Sequence, residues 1–438
     1  MTRSRQPDAG GWRIRGGLAE VAIAGTFVAA VVGPLAAAVA LALAVAAPVP
    51  AVAEPAAPTA PAVRGVVDEL SRDALQGRGL GSPGLDLARD RVRDWMSAAG
   101  LAPGAGDAQW LQSFPGPGGE PLANVVGVLK GSGPEWIVIG AHYDGLGLGA
   151  PGSEFDGQVH PGADDNASGV AALLRIGAAL AAATDLERSI YLVAFSAEES
   201  GTLGSRFFVD HPPRDLGQLV AMLNLDTVGG LENEQLIIFG TGTALEFPSV
   251  LRGVNHAFRF ELALNPEGAG ASDHVPFFAR GVPVLHFFTG AKAGYHRPGD
   301  VPELVNVVGV ERIADFVAEV ALYLAVEAEP LTFQPTGAER LTRPTSGGSP
   351  RRVSFGSIPD FSRDSGGILL SGVMPGGGAS AAGLESGDLI VRIDDVEIDN
   401  IYDFQGVLAE HDPGDTLVVH YLRGEESRVA HVVLTERK

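Results

Sequence analysis

The sequence predicts an α/β fold in which helices cover both faces of a mixed, mostly parallel sheet, followed by a small β-rich domain. Between residues 135 and 326, short apolar runs of strand length alternate with longer segments of helical character. Continuous apolar strands are typical of strands buried on both faces, and their alternation with helices is typical of α/β sheets. After residue 350 the pattern changes to short alternating strands separated by Gly turns.

The individual elements of the α/β region follow from run length and periodicity. The predicted strands are 136–139, 190–195, 219–225, 236–239 and 282–288, and the predicted helices are 85–99, 167–183 and 309–325. The last helix repeats apolar residues three or four positions apart, which one buried helical face requires. Gly100 directly follows the first helix and is a usual stop signal.

Composition limits the chemistry that this chain of 438 residues can perform. Hydrophobic residues make up 45% and charged residues 19%, which indicates a globular protein rather than a disordered one. The formal net charge of −22 makes nucleic acid an unfavourable partner. Cysteine is absent from the sequence, so disulfides, thiol nucleophiles and Cys-ligated zinc are excluded. A metal ion would have to bind His, Asp or Glu.

The first 53 residues are predicted to be an export signal. Basic residues come first, an uncharged apolar stretch follows, and Ala51-Val52-Ala53 forms a small-residue cleavage box. If cleavage does not occur, the apolar stretch 21–47 is long enough to anchor the chain in a membrane. In either case we expect the rest of the chain outside the cytoplasm, either periplasmic or secreted, with membrane contact only through an uncleaved anchor.

Changes in composition divide the remaining chain into two domains and two linkers. Residues 54–64 are rich in Pro and Ala, and residues 327–350 are polar and rich in Pro, Gly, Ser and Thr. Such segments are typical of linkers. They delimit a main α/β domain at 65–326 and a β-rich domain at 351–438.

Acidic and imidazole side chains follow the predicted strands of the main domain. They are His142 and Asp144, Glu198 and Glu199, Asp226, and His296 with its neighbour Tyr295, while Asp165 opens the second predicted helix. Ligand sites of α/β sheets gather at the carboxyl ends of strands. Taken singly, each residue has an ordinary structural interpretation as a helix cap, a solvated pair or a loop residue. Together, two His and three carboxylates favour a divalent metal site, with Zn²⁺ favoured by the imidazoles.

Several motifs in the same region resemble those of the dinuclear zinc aminopeptidases, a family of secreted bacterial exopeptidases. The motifs are GRGLGSPG (77–84), ANVVGVLKG (123–131), HYDGLG (142–147), PGADDNASGVAALL (161–174), AEESGTLGS (197–205), NLDTVG (224–229), SDHVPF (272–277) and YHRPGD (295–300). Wider relatives of this family are glutamate carboxypeptidase, glutaminyl cyclase and the transferrin receptor. The resemblance runs from about residue 69 to residue 325 and implies the zinc exopeptidase fold.

The resemblance also implies a role for each matching residue. The ligands of two divalent ions, with Zn²⁺ expected, would be His142, Asp165, Glu199, Asp226 and His296. Asp165 would bridge the two ions and precede a cis peptide bond, and Asp144 would orient the ring of His142. Glu198 would be the general base for a metal-activated water, and Tyr295 would donate a hydrogen bond to the reaction intermediate. The other histidines, among them His274 and His286, keep a structural interpretation.

The C-terminal domain resembles a bacterial PDZ domain over nearly its whole length. The resemblance depends on AGLESGD (382–388) and on the loop formed by Phe355, Gly356, Ser357 and Ile358. Such domains bind extended protein C-termini by adding a strand to a sheet edge, and the loop would receive the terminal carboxylate. The alternative is that this domain only packs beside the main domain.

The leading hypothesis is a metal-dependent exopeptidase that removes N-terminal residues from peptides. A carboxypeptidase for acidic dipeptides or a glutaminyl cyclase of the same fold remains an alternative. The carboxypeptidase would need cations to bind a carboxylate, and Lys292 and Arg297 are close in sequence to His296. A non-catalytic peptide-binding protein is a third possibility, which the retention of every expected ligand and of Glu198 disfavours.

Overall fold

The computed structural model describes residues 61–149, 151, 153–183, 185–292, 294–326, 329–337, 353–359, 366–374, 376–398, 401–424 and 426–436. The predicted export signal and most of the first predicted linker lie outside these residues. No helix among the described residues is both long and apolar enough to cross a bilayer.

The helices of the main domain surround its sheet. Within the described residues they are α1 (Val63–Leu70), α2 (Pro83–Ala98), α3 (Gly169–Ala181), α4 (Leu203–Asp210), α5 (Phe247–Phe258), α6 (His274–Phe278) and α7 (Val307–Val326).

Helix α2 shows how the local sequence determines where a helix begins. The hydroxyl of Ser82 accepts a hydrogen bond from the Leu85 N–H at 3.1 Å, and Pro83 occupies the first turn, where no donor is lost.

One mixed sheet forms the centre of the main domain. Its strands are β1 (Ala102–Pro103), β2 (Leu111–Pro115), β3 (Pro121–Leu129), β4 (Trp136–His142), β5 (Ser189–Phe195), β6 (Leu219–Leu225), β7 (Gln235–Phe239), β8 (Glu261–Leu264) and β9 (Val284–Phe288). Their order is β1-β3-β5-β4-β6-β9-β7-β8, with β2 beside β3. The four central strands β5, β4, β6 and β9 are parallel, so their carboxyl ends meet at one edge.

Helices cover both faces of the sheet, as predicted. Alternate residues of β4 face opposite layers, because side chains of a strand point to opposite sides in turn. Ile137 and Ile139 pack in the cluster that includes α1, α2, α3 and α7. Trp136 and Val138 pack in the cluster that includes α4 and α6. Burial on both faces explains why this strand is apolar without alternation.

The structure differs from the sequence expectations at the flanks of the sheet. The strands β3 and β7 pair antiparallel with β5 and β9, so the parallel centre is flanked by antiparallel pairings, although the edge pair β7 and β8 is again parallel. Helix α1 begins at Val63, inside the range predicted as a linker. Residues 329–337, also predicted as linker, partly pack on the domain. For example, the Gln334 N–H donates to the carbonyl of Thr243 at 2.8 Å.

The C-terminal domain has its own sheet and core. The strands β11 (Ser357–Pro359), β12 (Ile368–Val373), β13 (Asp388–Ile393), β15 (Thr416–Arg423) and β16 (Glu426–Val433) are antiparallel neighbours in that order. Short strands β14 (Val396–Glu397), β10 (Val353–Ser354) and β17 (Thr435–Glu436) and helices Gly378–Ala381 and Ile401–Ala409 complete it. Its apolar core contains Phe355, Ile390 and Leu417. The β-rich prediction for this region is confirmed.

Candidate metal centre

Side chains from three central strands and two loops converge at the carboxyl edge of the sheet. His142 ends β4, Glu198 and Glu199 follow β5, and Asp226 follows β6. Asp165 lies in the irregular turn Ala163–Ser168, which leads into α3, and His296 lies in the loop after β9. The structure therefore brings all five predicted ligands together, although 154 residues separate the first from the last.

Asp165 lies between the two histidines. Its Oδ1 is 3.3 Å from Nε2 of His142, and its Oδ2 is 3.1 Å from Nε2 of His296. The Nε2 atom of His142 is also 3.4 Å from Oδ1 of Asp226, and that of His296 is 3.5 Å from Oε2 of Glu199. The result is two three-residue groups that share the Asp165 carboxylate, His142–Asp165–Asp226 and Asp165–Glu199–His296.

Both groups have the chemistry of a zinc site. Catalytic zinc binds three protein ligands from His, Asp or Glu at ~2.0–2.2 Å and keeps one position open. Two ligands of one tetrahedral ion are then roughly 3.3–3.5 Å apart, close to the distances between His nitrogens and carboxylate oxygens described above. The residues present therefore fit one divalent ion in each group.

The buried carboxylates at this edge of the sheet destabilise the fold unless positive charge or protons neutralise them. Desolvation and the neighbouring charge of Asp165 raise the pKa of Glu199 to about 8. Burial and then the nearby Asp300 raise the pKa of Asp164 to about 8. A buried group of like charges needs either protons or cations for neutralisation. Divalent ions would supply that neutralisation here.

Asp144 holds the turn that carries both glutamates. Its Oδ1 accepts a hydrogen bond from the Glu198 N–H at 3.1 Å, and its Oδ2 accepts one from the Glu199 N–H at 3.2 Å. The same Oδ1 is 3.6 Å from Nδ1 of His142, which is an electrostatic contact rather than a hydrogen bond. Asp144 thus fixes His142 and the pair Glu198–Glu199 relative to each other.

Two residues that have no predicted role, Arg78 and Asp300, hold the Asp165 loop. Arg78 is fully buried and donates to the carbonyls of Tyr143, Leu70, Pro161 and Gly162 at 2.8, 2.5, 2.8 and 2.9 Å. The carboxylate of Asp300 accepts from the Asp164 and Asp165 N–H groups at 2.8 and 3.0 Å. The peptide bond between Asp165 and Asn166 is cis, as the resemblance implied.

A second chain of hydrogen bonds holds Asp226. The hydroxyl of Ser272 donates to its Oδ2 at 2.7 Å, and the amide of Asn224 donates to that hydroxyl at 2.8 Å. The same amide lies 3.1 Å from Nδ1 of His286, whose ring stacks on that of His274. His286 and His274 thus pack behind Asn224 and contact the site only through it, and their structural interpretation stays a prediction.

Tyr295 lies beside the predicted ligands. Its ring stacks on that of His296, with the centroids 3.9 Å apart. Burial, followed by the charges of Asp165 and Glu199, raises its pKa well above the usual range, so the hydroxyl keeps its proton. This placement is compatible with the predicted role of a hydrogen-bond donor.

Two small clefts open at this edge of the sheet. One of about 190 Å³ is lined by Leu146, His160, Gly162, Asp165, Glu199, His296, Arg297 and Asp300. The other, of about 340 Å³, is lined by Asp164, Thr227, Lys292, Gly294, Tyr295, Gly299, Asp300 and Leu304. His160, which the sequence suggested was only a packing residue, thus lines the cleft that contains both Asp165 and His296.

In the C-terminal domain, the predicted carboxylate-binding loop precedes an edge strand. Strand β11 pairs only with β12 among the described strands. The side chain of Phe355 is buried against Phe404, and Gly356 has a φ of 78°, a conformation that favours glycine. Ser357 and Ile358 begin β11. Their binding role stays a prediction.

Comparison with known protein families agrees with both domains. Residues 124–321 match peptidase family M28, and residues 358–434 match the PDZ domain. The chain therefore contains an M28 peptidase domain and a PDZ domain. The motif resemblance in the sequence is confirmed, because the region that carries the motifs matches family M28 and the C-terminal region matches the PDZ domain.

The M28 domain is similar to several characterised proteins. Aminopeptidase YwaD of Bacillus subtilis is 29% identical over 219 residues, which are 47% of this chain and 45% of that protein. Leupeptin-inactivating enzyme 1 of Streptomyces exfoliatus is 30% identical over 280 residues, 62% of this chain and 56% of that protein. The solved structure of BSAP, a zinc aminopeptidase from Bacillus subtilis, is 28% identical over 50% of this chain and 54% of its own, with a TM-score of 0.40. The chain thus spans about half the length of these relatives.

Proposed function

We propose that this protein is a metal-dependent aminopeptidase that hydrolyses the first peptide bond of peptides with a free N-terminus. The observation that carries the proposal is the pair of ligand groups that share Asp165, with Glu198 beside Glu199 on a turn fixed by Asp144. Matches to proteins named aminopeptidase support the same activity.

Each predicted residue then has a role in this proposal. His142, Asp165 and Asp226 would hold one ion, and Asp165, Glu199 and His296 would hold a second. We propose zinc for both, because His and carboxylate ligands suit it and because one similar structure is described as a zinc aminopeptidase. Divalent ions held by these residues would lower the pKa of a coordinated water and would polarise the substrate carbonyl.

The chain's own residues supply the proton transfers. Glu198 accepts the proton of the attacking water and returns it to the leaving amine nitrogen, as a positioned carboxylate can. Asp144 keeps Glu198 in place through the backbone hydrogen bond at 3.1 Å. The protonated hydroxyl of Tyr295 donates a hydrogen bond to the carbonyl oxygen of the substrate. Neither a Ser nor a Cys nucleophile is needed for this mechanism.

The remaining parts of the proposal concern location and the second domain. We propose that the protein is exported and that the PDZ domain binds an extended protein C-terminus along the open edge of β11, which the geometry of an edge strand permits. The basic start and apolar run of residues 1–53 support export.

The deciding experiment compares free and N-acetylated forms of the same peptide, with and without a chelator. We expect cleavage only of the free amine, loss of cleavage after chelation and recovery with Zn²⁺. The Glu198→Gln variant should still bind zinc but lose activity by about 10²–10⁴-fold. Full activity of this variant would refute the proposed proton transfers. Cleavage from the carboxyl end, or conversion of N-terminal Gln without hydrolysis, would favour the carboxypeptidase or cyclase alternatives.

A further inference from the structure

Arg297 occupies a fixed position next to the candidate metal centre. It follows His296 directly and lines the cleft of about 190 Å³ together with Asp165 and Glu199. Its N–H donates to the carbonyl of Gly294 at 3.0 Å, and its own carbonyl accepts from the Asp300 N–H at 3.1 Å. The backbone of Arg297 is therefore held by the same loop that places His296.

The guanidinium of Arg297 is mostly buried but poorly paired. Its side chain is 20% exposed, and its nearest acid is Glu154, at 4.0 Å, which is too long for a hydrogen bond. The group also lies 5.3 Å from the centre of the Phe155 ring. Among the described residues, no hydrogen bond from this guanidinium is formed.

Two other arginines of similar exposure in the described residues form short hydrogen bonds to carboxylates. Arg89, at 22% exposure, donates to Asp86 at 2.6 Å, and Arg423, at 26%, donates to Asp388 at 2.7 Å through Nε. A guanidinium carries five N–H donors, and leaving them unpaired in a mostly buried place is costly. The contrast indicates that Arg297 has a partner outside the chain.

The chemistry of that partner follows from the guanidinium. Its planar fork matches the two oxygens of a carboxylate. The second cation that the sequence indicated, Lys292, lines the other cleft and pairs with Glu232 at 3.3 Å, so it is less suited to this task. Arg297 directly follows the proposed ligand His296 and lines the same cleft as Asp165 and Glu199, so a carboxylate bound to it would lie close to the proposed ions and would belong to a short substrate.

We propose that Arg297 is a specificity-determining residue that binds the C-terminal carboxylate of dipeptide substrates. This inference rests on the proposed peptidase function, because it places the carboxylate one residue beyond the scissile bond. Asp165 and Glu199 would repel that carboxylate in the metal-free chain, so the preference requires the metal-loaded protein. The proposal adds a substrate class, free dipeptides, to the activity.

The test compares the dipeptide Leu-Ala with Leu-Ala-amide on the zinc-loaded full chain. We expect wild-type protein to prefer the free carboxylate by about 10–100-fold in kcat/KM, mainly through KM, since a hydrogen bond to a charged group contributes to binding of substrate and transition state alike. Arg297→Gln should reduce this preference towards one, and Arg297→Lys should keep part of it. Glu154→Gln, which removes only the distant acid, is the matched control and should leave the preference unchanged.

A binding measurement separates substrate recognition from damage to the site. Calorimetry would compare the binding of Leu-Ala to the Glu198→Gln variant and to the double variant Glu198→Gln/Arg297→Gln. The double variant should bind Leu-Ala about 10–100-fold more weakly and contain the same amount of zinc. Equal cleavage of dipeptide and amide by wild-type protein would overturn the inference while the peptidase function stands. A second result would also overturn the inference. If Arg297 made the protein prefer Leu-Glu-amide over Leu-Gln-amide but did not make it prefer free Leu-Ala over Leu-Ala-amide, Arg297 would bind an acidic side chain and not the C-terminal carboxylate. No cleavage of any free peptide would refute both proposals.

Discussion

The carboxylate of Asp300 accepts a 3.0 Å hydrogen bond from the backbone N–H of Asp165, the residue shared by both ligand groups. It also accepts one from the Asp164 N–H at 2.8 Å. Asp300 lies four residues after His296, so this contact ties the loop of one ligand to the loop of another. The relative position of Asp165 and His296 therefore depends on a residue that touches neither of the proposed ions.

Asp300→Asn should weaken the metal site without unfolding the domain. An amide has one acceptor oxygen, so one of the two N–H groups would face a donor and lose its partner. Mutation of residues that support metal ligands commonly costs about 10–100-fold in metal affinity or activity. We expect losses of this size in zinc affinity, measured by competition with a chromophoric chelator.

The control for this prediction is Asp315→Asn on α7. Asp315 also accepts two hydrogen bonds, from Arg175 at 2.8 and 2.9 Å, but it lies in a half-exposed surface pair away from the cleft. Its replacement should leave zinc affinity unchanged. Unchanged zinc affinity in Asp300→Asn would show that the loop holds its shape without this carboxylate.

Arg78→Met should destabilise the main domain more than any surface substitution. The change leaves four buried carbonyl oxygens without their donor. The expected loss in the free energy of unfolding is about 3–5 kcal/mol, the range for removing one partner of a buried charged network. Urea unfolding followed by tryptophan fluorescence would measure it.

Arg78→Lys provides the graded comparison for that experiment. A lysine keeps the charge but has only three donors on one nitrogen, so it cannot reach four carbonyls in different directions. Its stability should lie between those of the wild-type protein and Arg78→Met. If both variants unfold at the wild-type urea concentration, the four hydrogen bonds contribute nothing to stability.

The sequence predicted the centre of the sheet and the ligands, because both have local signals. Strand β6 was predicted at its observed bounds, and His142 and Asp226 were recognised by their position after apolar runs. Arg78 and Asp300 were not assigned a role, although both lie in recognised motifs. Their hydrogen-bond partners are up to 136 residues away for Asp300 and up to 84 for Arg78, and no local pattern encodes such pairs.

Strand β3 shows a second limit of prediction from sequence. Its residues are apolar and buried, but its antiparallel direction is fixed only by pairing with β2 and β5 in the folded sheet. The apolar pattern indicates burial and not direction. The placement of His142, Glu199 and Asp226 does not depend on the direction of β3, because these residues follow the carboxyl ends of the parallel strands β4, β5 and β6.

Removal of metal should lower the thermal stability of the full chain. Without cations, the buried carboxylate of Asp165 lies within 4.8 Å of that of Asp226 and within 4.8 Å of that of Glu199, and these like charges repel. Differential scanning calorimetry should show a lower midpoint after chelation and a midpoint that rises with added Zn²⁺. When Zn²⁺ binds only the native state, a free Zn²⁺ concentration of one hundred times the dissociation constant increases the free energy of unfolding by about 2.7 kcal/mol.

The variant Asp226→Asn tests the origin of that shift. It removes one carboxylate, so the metal-free protein should be less destabilised and the gain on adding Zn²⁺ should be smaller. A midpoint that does not respond to zinc in the wild-type protein would contradict the proposed site. A midpoint that responds equally in both proteins would exclude Asp226 as a ligand.

Asp388 should make the stability of the PDZ domain depend on pH. Burial by itself would raise its pKa, but hydrogen bonds from Arg423 and from the Glu385 N–H outweigh burial and hold the pKa below the usual value. A carboxyl group whose pKa is lower in the folded state stabilises that state above its unfolded pKa, near ~3.9. This stabilisation is lost as the pH falls through the folded value.

Asp388→Asn should remove this pH dependence. At pH 7 the variant should be less stable by about 1–3 kcal/mol, because a charged acceptor of several hydrogen bonds becomes a neutral one. Hydrogen exchange of the full chain in increasing urea, followed in the peptic fragments that come from the PDZ domain, would measure this difference in the free energy of unfolding. The gap between the two proteins should narrow as the pH falls below about 4, since wild-type Asp388 is then protonated as well. A gap that stays constant between pH 7 and pH 3 would mean that the loss comes from packing and not from the charge of Asp388.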